Sequence, residues 1–94
     1  MSASPEVHDY RRDPIIHPRE LQLGHVYTLV SERYAASFNY AGTVELDSSF
    51  GKMVIHRFHG PRVDVWVGLA EQPDGTLQDG ERHTIELRRY TEGM

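Results

Sequence analysis

Residues 37–69 constrain the fold more than any other part of the sequence. Three apolar-rich runs follow one another here, separated by two short turns, Asp47-Ser48-Ser49 and Gly60-Pro61. Runs of this length that are rich in β-branched and aromatic residues, with turn residues between them, are typical of β-strands. The stretch therefore predicts an antiparallel meander around which the remaining chain is arranged.

Two further runs, one on each side of the meander, complete a set of five predicted strands. Their approximate bounds are 25–30, 37–46, 52–59, 62–69 and 83–90. Almost no helical pattern is present, and short strands joined by turns predict a small antiparallel barrel or sandwich. We expect an all-β fold, a five-stranded antiparallel SH3-like barrel over residues 21–91.

Residues 1–20 carry three prolines and many charges, which predict a flexible N-terminal tail. Within it, the apolar pair Ile15-Ile16 is expected to dock on the barrel or on a partner subunit. A minimal hairpin is also possible around Thr76-Leu77, between two turn signals.

Alternation of side chains predicts which face of each strand is buried. In the second strand the expected inward set is Phe38, Tyr40, Gly42, Val44 and Leu46. In the fourth strand it is Val63, Val65, Val67 and Leu69, which leaves Trp66 on the outside. A glycine in mid-strand predicts a bend at Gly42, as barrel corners require.

The segment from Ala41 to Gly51 resembles the Sm-like branch of small barrels. Gly42, Asp47 and Phe50 occupy roughly the positions of that family's strand glycine, loop aspartate and apolar loop residue. The resemblance implies a bent-strand barrel. The chain has Gly51 where the family has asparagine, and no second RNA-binding motif follows, so the resemblance concerns the fold rather than RNA binding.

Composition excludes several classes of function. The net charge of −4 argues against a general phosphate-binding surface, and the absence of cysteine excludes thiolate chemistry. His56 and His59 have a metal-like spacing, but residues three apart on a strand point to opposite faces. We therefore expect no metal and no cofactor. Since no signal peptide or membrane-spanning run is visible, the expected location is cytoplasmic, without membrane association.

Five residues are predicted to bind a partner: Tyr34, Arg62, Trp66, Arg88 and Tyr90. Trp66 leads this set, because an outward tryptophan is a large apolar surface and tryptophan is enriched at binding hot spots. Either Ile15-Ile16 or a second copy of the protein is expected to cover it. The tyrosines belong to predicted aromatic clusters, and the arginines form local positive sites or surface ion pairs.

The favoured expectation for function is a small cytoplasmic, non-catalytic binding module that takes a protein partner and self-associates. One alternative is a barrel that binds RNA or single-stranded nucleic acid through the aromatic loop and the arginines. The other is a small enzyme with its site at a subunit interface. No catalytic motif supports the enzyme, so activity is not expected.

Overall fold

A computed structural model of the protein describes residues 10–49, 51–60 and 64–91. The chain forms a closed antiparallel barrel, with strands paired in sequence order and the last strand returning to the first. The strands are β1 (Val26–Val30), β2 (Ala35–Ser48), β3 (Gly51–His59), β4 (Trp66–Glu71), β5 (Leu77–Gln78) and β6 (Thr84–Arg89). Two 3-10 turns, Tyr10–Arg12 and Pro18–Glu20, precede them. The predicted all-β antiparallel barrel is confirmed.

The predicted number of five strands is wrong, because the barrel has six. The additional strand, β5, has only two residues, Leu77 and Gln78, at the place of the minimal hairpin suggested by the sequence. It joins β4 to β6 through the pairs Ala70–Gln78 and Leu77–Ile85. Two residues are too few to show alternation, which explains why the pattern did not count this strand.

The fourth strand begins later than predicted. It starts at Trp66 and continues to Glu71, and the predicted strand residues 62 and 63 lie outside the described part of the chain. Before it, the amide of Gly60 donates a hydrogen bond to the carbonyl oxygen of Val65 at 2.8 Å. Val65 is 45% exposed, so its expected burial is wrong, whereas Leu69 is fully buried.

A β-bulge divides β2 into two parts with opposite orientation. Tyr40 pairs with Phe58, but the next pair is Gly42–Arg57, so Ala41 is an extra residue on its strand. One extra residue shifts the alternation by one position and moves the following side chains to the other face. Phe38 and Tyr40 point inward as predicted, while the expected inward orientation of Gly42, Val44 and Leu46 is wrong. Leu46 is 49% exposed.

The core lies inside the barrel. Every strand contributes residues to it, but the end of the β2–β3 hairpin that extends beyond the barrel does not. It contains Tyr27, Leu29, Phe38, Tyr40, Phe58, Leu69, Leu77, Ile85 and Leu87. The Tyr40 ring is tilted against Phe58, with the centroids 5.3 Å apart, and meets Tyr27 edge-on. Burial of each large apolar side chain contributes roughly 1.5–3 kcal/mol, so these residues account for most of the hydrophobic stabilisation.

The N-terminal segment pairs with the part of β6 that lies beyond the short pairing of β6 with β5. The amide of Ile16 donates to the carbonyl oxygen of Leu87 at 3.1 Å, and the amide of Arg89 donates to that of Pro14 at 2.9 Å. The Ile16 side chain packs against the core, while Ile15 stays 64% exposed. The expected docking of this pair is thus confirmed for its backbone and for Ile16. Residues 1–9 lie outside the described part, so flexibility there stays a prediction. Residues 10–20, expected to be flexible as well, form two 3-10 turns in which Pro18 is buried, and Asp13 between these turns is 1% exposed.

Strands β2 and β3 continue beyond the barrel as a two-stranded arm, residues 45–49 and 51–54. β1 pairs with β2 only as far as Asn39, and β4 pairs with β3 only from Ile55 onward. Among the described residues, no third strand accompanies the arm. One of its faces carries Leu46 and Met53, which pair with each other and are 49% and 40% exposed.

We predict that Gly42→Ala destabilises the protein by about 1–3 kcal/mol, the range typical of a side chain forced into a disfavoured backbone conformation. Gly42 has a φ of +100°, and a Cβ atom there would lie 3.3 Å from Cδ2 of Leu23. Urea denaturation of both proteins measures the change. Gly80→Ala is the control, because that position has no positive φ and no atom within 4 Å of the added Cβ. Equal midpoints for the two variants would contradict the bulge.

Candidate functional site

Trp66 begins β4 on the outer face of the barrel, as predicted, and is 56% exposed. It pairs with His59 of β3, and the two rings are stacked with their centroids 4.5 Å apart and an interplanar angle of 34°. The guanidinium carbon of Arg57 lies 5.2 Å from the indole centroid, within the range of a cation–π contact. The indole is therefore held in place although most of its surface faces outward.

A continuous apolar face extends from Trp66 to the arm. Residues that pair across antiparallel strands point to the same side of the sheet, so the register defines this face. Its successive rows, which we call the outer strip, are Leu46–Met53, Val44–Ile55–Ala70, Gly42–Arg57–Gly68 and His59–Trp66. Val44 and Ile55 in its centre are half-buried. Arg57 carries the one permanent charge of the strip.

The outer strip contains a groove of about 430 Å³. It is lined by Val44, Leu46, Ile55, Arg57, Trp66, Val67 and Gly68. Gly68 forms its low point, because a Cβ atom at that position would lie only 3.1 Å from Cγ2 of Ile55. The groove is thus an apolar depression with an aromatic ring and a cation on one side.

The N-terminal isoleucines do not cover Trp66. Ile15 forms a β-bridge with Arg88, on the side of the barrel where β6 lies, and Ile16 is bonded to Leu87. Of the two groups predicted to cover Trp66, the Ile15-Ile16 pair therefore lies elsewhere. Covering by a second copy stays a prediction.

Arg88 contacts the N-terminal segment and is not part of an open basic patch. Its Nη1 donates to the carbonyl oxygens of Tyr10 and Asp13, each at 3.2 Å, and it forms an ion pair with Glu86. The Tyr10 ring lies beneath its guanidinium at 5.8 Å. Tyr90, partly buried, follows β6 nearby, and Arg62 lies outside the described residues. Neither Arg88 nor Tyr90 is part of the outer strip.

Tyr34 lies in a second hollow, between the β1–β2 turn and the loop before β6. This space of about 260 Å³ is lined by Ser31, Glu32, Arg33, Tyr34, Asp79, Glu81 and His83. Partial burial, and then the nearby Asp79 carboxylate, raise the pKa of the Tyr34 phenol. Arg33 and Glu81 form a long, exposed ion pair at 3.8 Å. Tyr34 is thus a surface residue as predicted, but it belongs to a different site from Trp66.

The inner face of the same strands holds a buried polar chain. Tyr40 Oη lies 3.0 Å from His56 Nδ1, and His56 Nε2 lies 2.7 Å from Oε1 of Glu71. Burial, followed by the charges of Tyr27 and Glu71, raises the pKa of Tyr40, so the phenol keeps its proton. His56 is only 5% exposed and both its ring nitrogens have partners. The imidazole is therefore shielded from solvent, while the Glu71 side chain at the end of the chain of contacts stays partly exposed.

The predicted opposite orientation of His56 and His59 is confirmed, since His56 faces the core and His59 faces outward against Trp66. His59 Nε2 lies 2.9 Å from the Asp64 carboxylate, an exposed contact beside the indole. Among residues 10–49, 51–60 and 64–91, no three histidine, aspartate or glutamate side chains are grouped so that they could hold a metal ion.

Sequence reasoning found Trp66 but missed the remaining outer strip. The expected burial of Val44 and Leu46 follows from an alternation that continues through Gly42 and does not count Ala41 as an extra residue. One signal was present: the third predicted strand is apolar on both faces, as expected when its outer face is also covered or used. That signal does not by itself identify which strand carries the bulge.

No helix in the described part of the chain is both long and apolar enough to cross a membrane. No protein-family model, no curated protein and no solved structure matches this chain. The outer strip is consequently identified as the candidate functional site from its geometry alone.

Proposed function

We propose that this protein is a small, non-catalytic binding module that recognises protein through the outer strip. The observation that carries the proposal is the exposure of Trp66, Leu46 and Met53, at 56%, 49% and 40%, on one continuous sheet face. Contiguous apolar surface of this kind marks interaction sites, and tryptophan contributes strongly to binding when it becomes buried.

The surroundings of Trp66 favour a protein partner. Stacking on His59 and the Arg57 guanidinium restrict the indole before binding, which lowers the entropy lost when a partner covers it. The groove beside it offers apolar walls and one cation, a combination suited to apolar side chains with a polar or acidic neighbour. A cytoplasmic location remains part of this proposal.

The two alternative functions have less support. A nucleic-acid surface needs several cations together, whereas the outer strip contains Arg57 alone and the chain is acidic overall. Arg88, expected to contribute to such a surface, is occupied by the N-terminal segment. For an enzyme, the histidine with the most suggestive partners, His56, is buried between Tyr40 and Glu71.

Selection from a displayed library of random peptides tests the proposal, with Trp66 as the reporter. Trp66 is the sole tryptophan of the chain, so its fluorescence reports directly on the outer strip. We expect the wild type to enrich peptides that reduce acrylamide quenching of Trp66 severalfold and that lose binding to Leu46→Ser. Thr43→Ala, on the same strand but the opposite face, should bind them unchanged.

Two results would contradict the proposal. One is a selection that enriches no peptide above the background of an unrelated immobilised protein. The other is a set of peptides that bind Leu46→Ser as well as the wild type and leave Trp66 quenching unchanged.

A further inference from the structure

We propose that the open edge of β2, where this strand leads into the arm, binds an extended protein segment as an additional strand, and that this segment alternates apolar and basic side chains. The edge extends from Thr43 to Asp47, a distance of about 14 Å along the strand. The inference rests on the proposed function, because it names the conformation and the charge of a partner that the outer strip recognises.

The open edge begins where the pairing with β1 ends. The amide of Tyr40 donates to the carbonyl oxygen of His25 at 2.9 Å, and its carbonyl oxygen accepts from the amide of Gly24 at 3.0 Å. Beyond this point β2 continues to Ser48 with β3 on one side, and among the described residues no strand pairs with its other side. A segment placed there would extend the row of the sheet that β1 occupies in the barrel.

The register determines which backbone groups of this edge are available. In an antiparallel sheet, alternate residues direct their amide and carbonyl groups to the same neighbouring strand. Tyr40 directs its groups to the β1 side, and the extra residue Ala41 shifts this alternation by one position. Residues 43, 45 and 47 therefore direct their groups outward. They offer three donors and three acceptors to an added strand, the arrangement that β-strand addition uses.

Pairing on the far side of β3 leads to the same assignment. The amide of Gly60 donates to the carbonyl oxygen of Val65 at 2.8 Å, so the even-numbered residues of β3 face β4. Its odd-numbered residues then face β2, where the register pairs them with residues 42, 44 and 46. Both routes leave the backbone groups of residues 43, 45 and 47 for an added strand.

The two faces of the edge require different side chains from the added segment. Side chains of neighbouring strands lie side by side on the same face of a sheet. On the outer face the edge presents Val44 and Leu46, so the residues of the segment beside them should be apolar. On the opposite face it presents Glu45 and Asp47, both exposed, so the alternate residues of the segment should be basic.

The acidic row favours a basic segment over a second copy of this chain. Edge-to-edge pairing of two copies would bring Glu45 or Asp47 of one beside a carboxylate of the other, and like charges placed opposite each other are destabilising. Lys52 offsets part of the charge through an exposed ion pair of 3.9 Å with Glu45, but it lies on β3, away from the added strand. Arg57 does not oppose the basic side chains, because it lies on the outer face.

Amide hydrogen exchange measured by NMR, with selected peptides as probes, tests the inference. Two displayed libraries of peptides of about eight residues are compared, a length sufficient to span the edge. Apolar residues alternate with lysine or arginine in one library and with glutamate or aspartate in the other. We expect the wild type to enrich the basic library over the acidic one by about tenfold or more. A bound peptide should slow exchange at residues 43, 45 and 47 about tenfold, and much less at residues 44 and 46, which already bond to β3.

Matched variants separate the roles of charge and backbone. Glu45→Lys combined with Asp47→Lys should reverse the preference and enrich the acidic library, because the row beside the segment becomes positive. Glu32→Lys combined with Glu81→Lys changes the net charge equally at exposed positions away from the edge and should keep the wild-type preference. N-methylation of the peptide amides that face β2 should abolish binding, whereas N-methylation of the alternate amides should not. Circular dichroism confirms that each variant is folded.

Three results would overturn the inference: equal enrichment of the two libraries, bound peptides that leave the amides of residues 43, 45 and 47 in fast exchange, or a charge-reversed variant that keeps the wild-type preference. Peptides that shield Trp66 but fail these tests would remove the added strand and leave the protein-binding proposal intact. If neither the random library nor the alternating libraries yield a binding peptide, both proposals fail.

Discussion

Asp13→Ala should destabilise the barrel by about 3–5 kcal/mol, the cost typical of removing one member of a buried, charged hydrogen-bond set. Asp13 is 1% exposed, and its Oδ2 accepts a 2.6 Å hydrogen bond from the Thr28 hydroxyl. Its Oδ1 accepts from the amide and the hydroxyl of Thr91, at 3.1 and 2.6 Å. One carboxylate thus joins the N-terminal segment to β1 and to the chain end after β6.

Urea denaturation followed by circular dichroism measures this loss. Asp13→Asn is the graded variant, because its amide oxygen replaces one acceptor but not the second, and it should cost less than Asp13→Ala. Glu32→Ala, at an exposed position, should leave the midpoint unchanged and serves as the control. A loss below about 1 kcal/mol for Asp13→Ala would mean that the N-terminal segment contributes little to folding.

His56→Leu should cost about 2–3 kcal/mol, even though leucine suits the core in size and polarity. The substitution removes the imidazole that bridges the Tyr40 hydroxyl and the Glu71 carboxylate. Tyr40 is 7% exposed, so its hydroxyl is left without a partner away from water. An unsatisfied buried polar group costs roughly 1–3 kcal/mol.

A double-mutant cycle with Tyr40→Phe identifies the source of that cost. Tyr40→Phe alone removes the hydroxyl while keeping the ring that packs against Phe58. If the buried chain acts as a unit, the double variant should be more stable than the sum of the single losses predicts, by about 1 kcal/mol. Strict additivity would show that the Tyr40–His56 contact contributes nothing beyond packing.

The two faces of β3 separate the core residues from those of the proposed binding face. His56 and Phe58 point into the core, whereas Arg57 and His59 point to the outer strip. Because alternate residues point to opposite sides, the proposed binding face lies on strands that also contribute to the core. Substitutions at Arg57 are therefore expected to change binding more than folding.

The sequence by itself determined the class of fold and much of its local order. Turn residues and β-branched runs predicted the meander, and the clean alternation around Trp66 predicted that its indole faces outward. The glycine in the second strand predicted an irregularity at Gly42, and the isoleucines among charges predicted a docked segment. All of these depend on local backbone preferences or on the period of two, which act over a few neighbouring residues.

The tertiary structure decided what depends on pairing between distant residues. The register of β2 against β3 makes Ala41 the extra residue, and this one-residue shift places Val44 and Leu46 on the outer strip instead of in the expected core. Contacts across more than seventy residues directed Arg88 to Tyr10 and Asp13 instead of to a basic patch. Hydrogen-bond register and long-range packing are properties of the closed barrel as a whole, and a local pattern specifies neither of them.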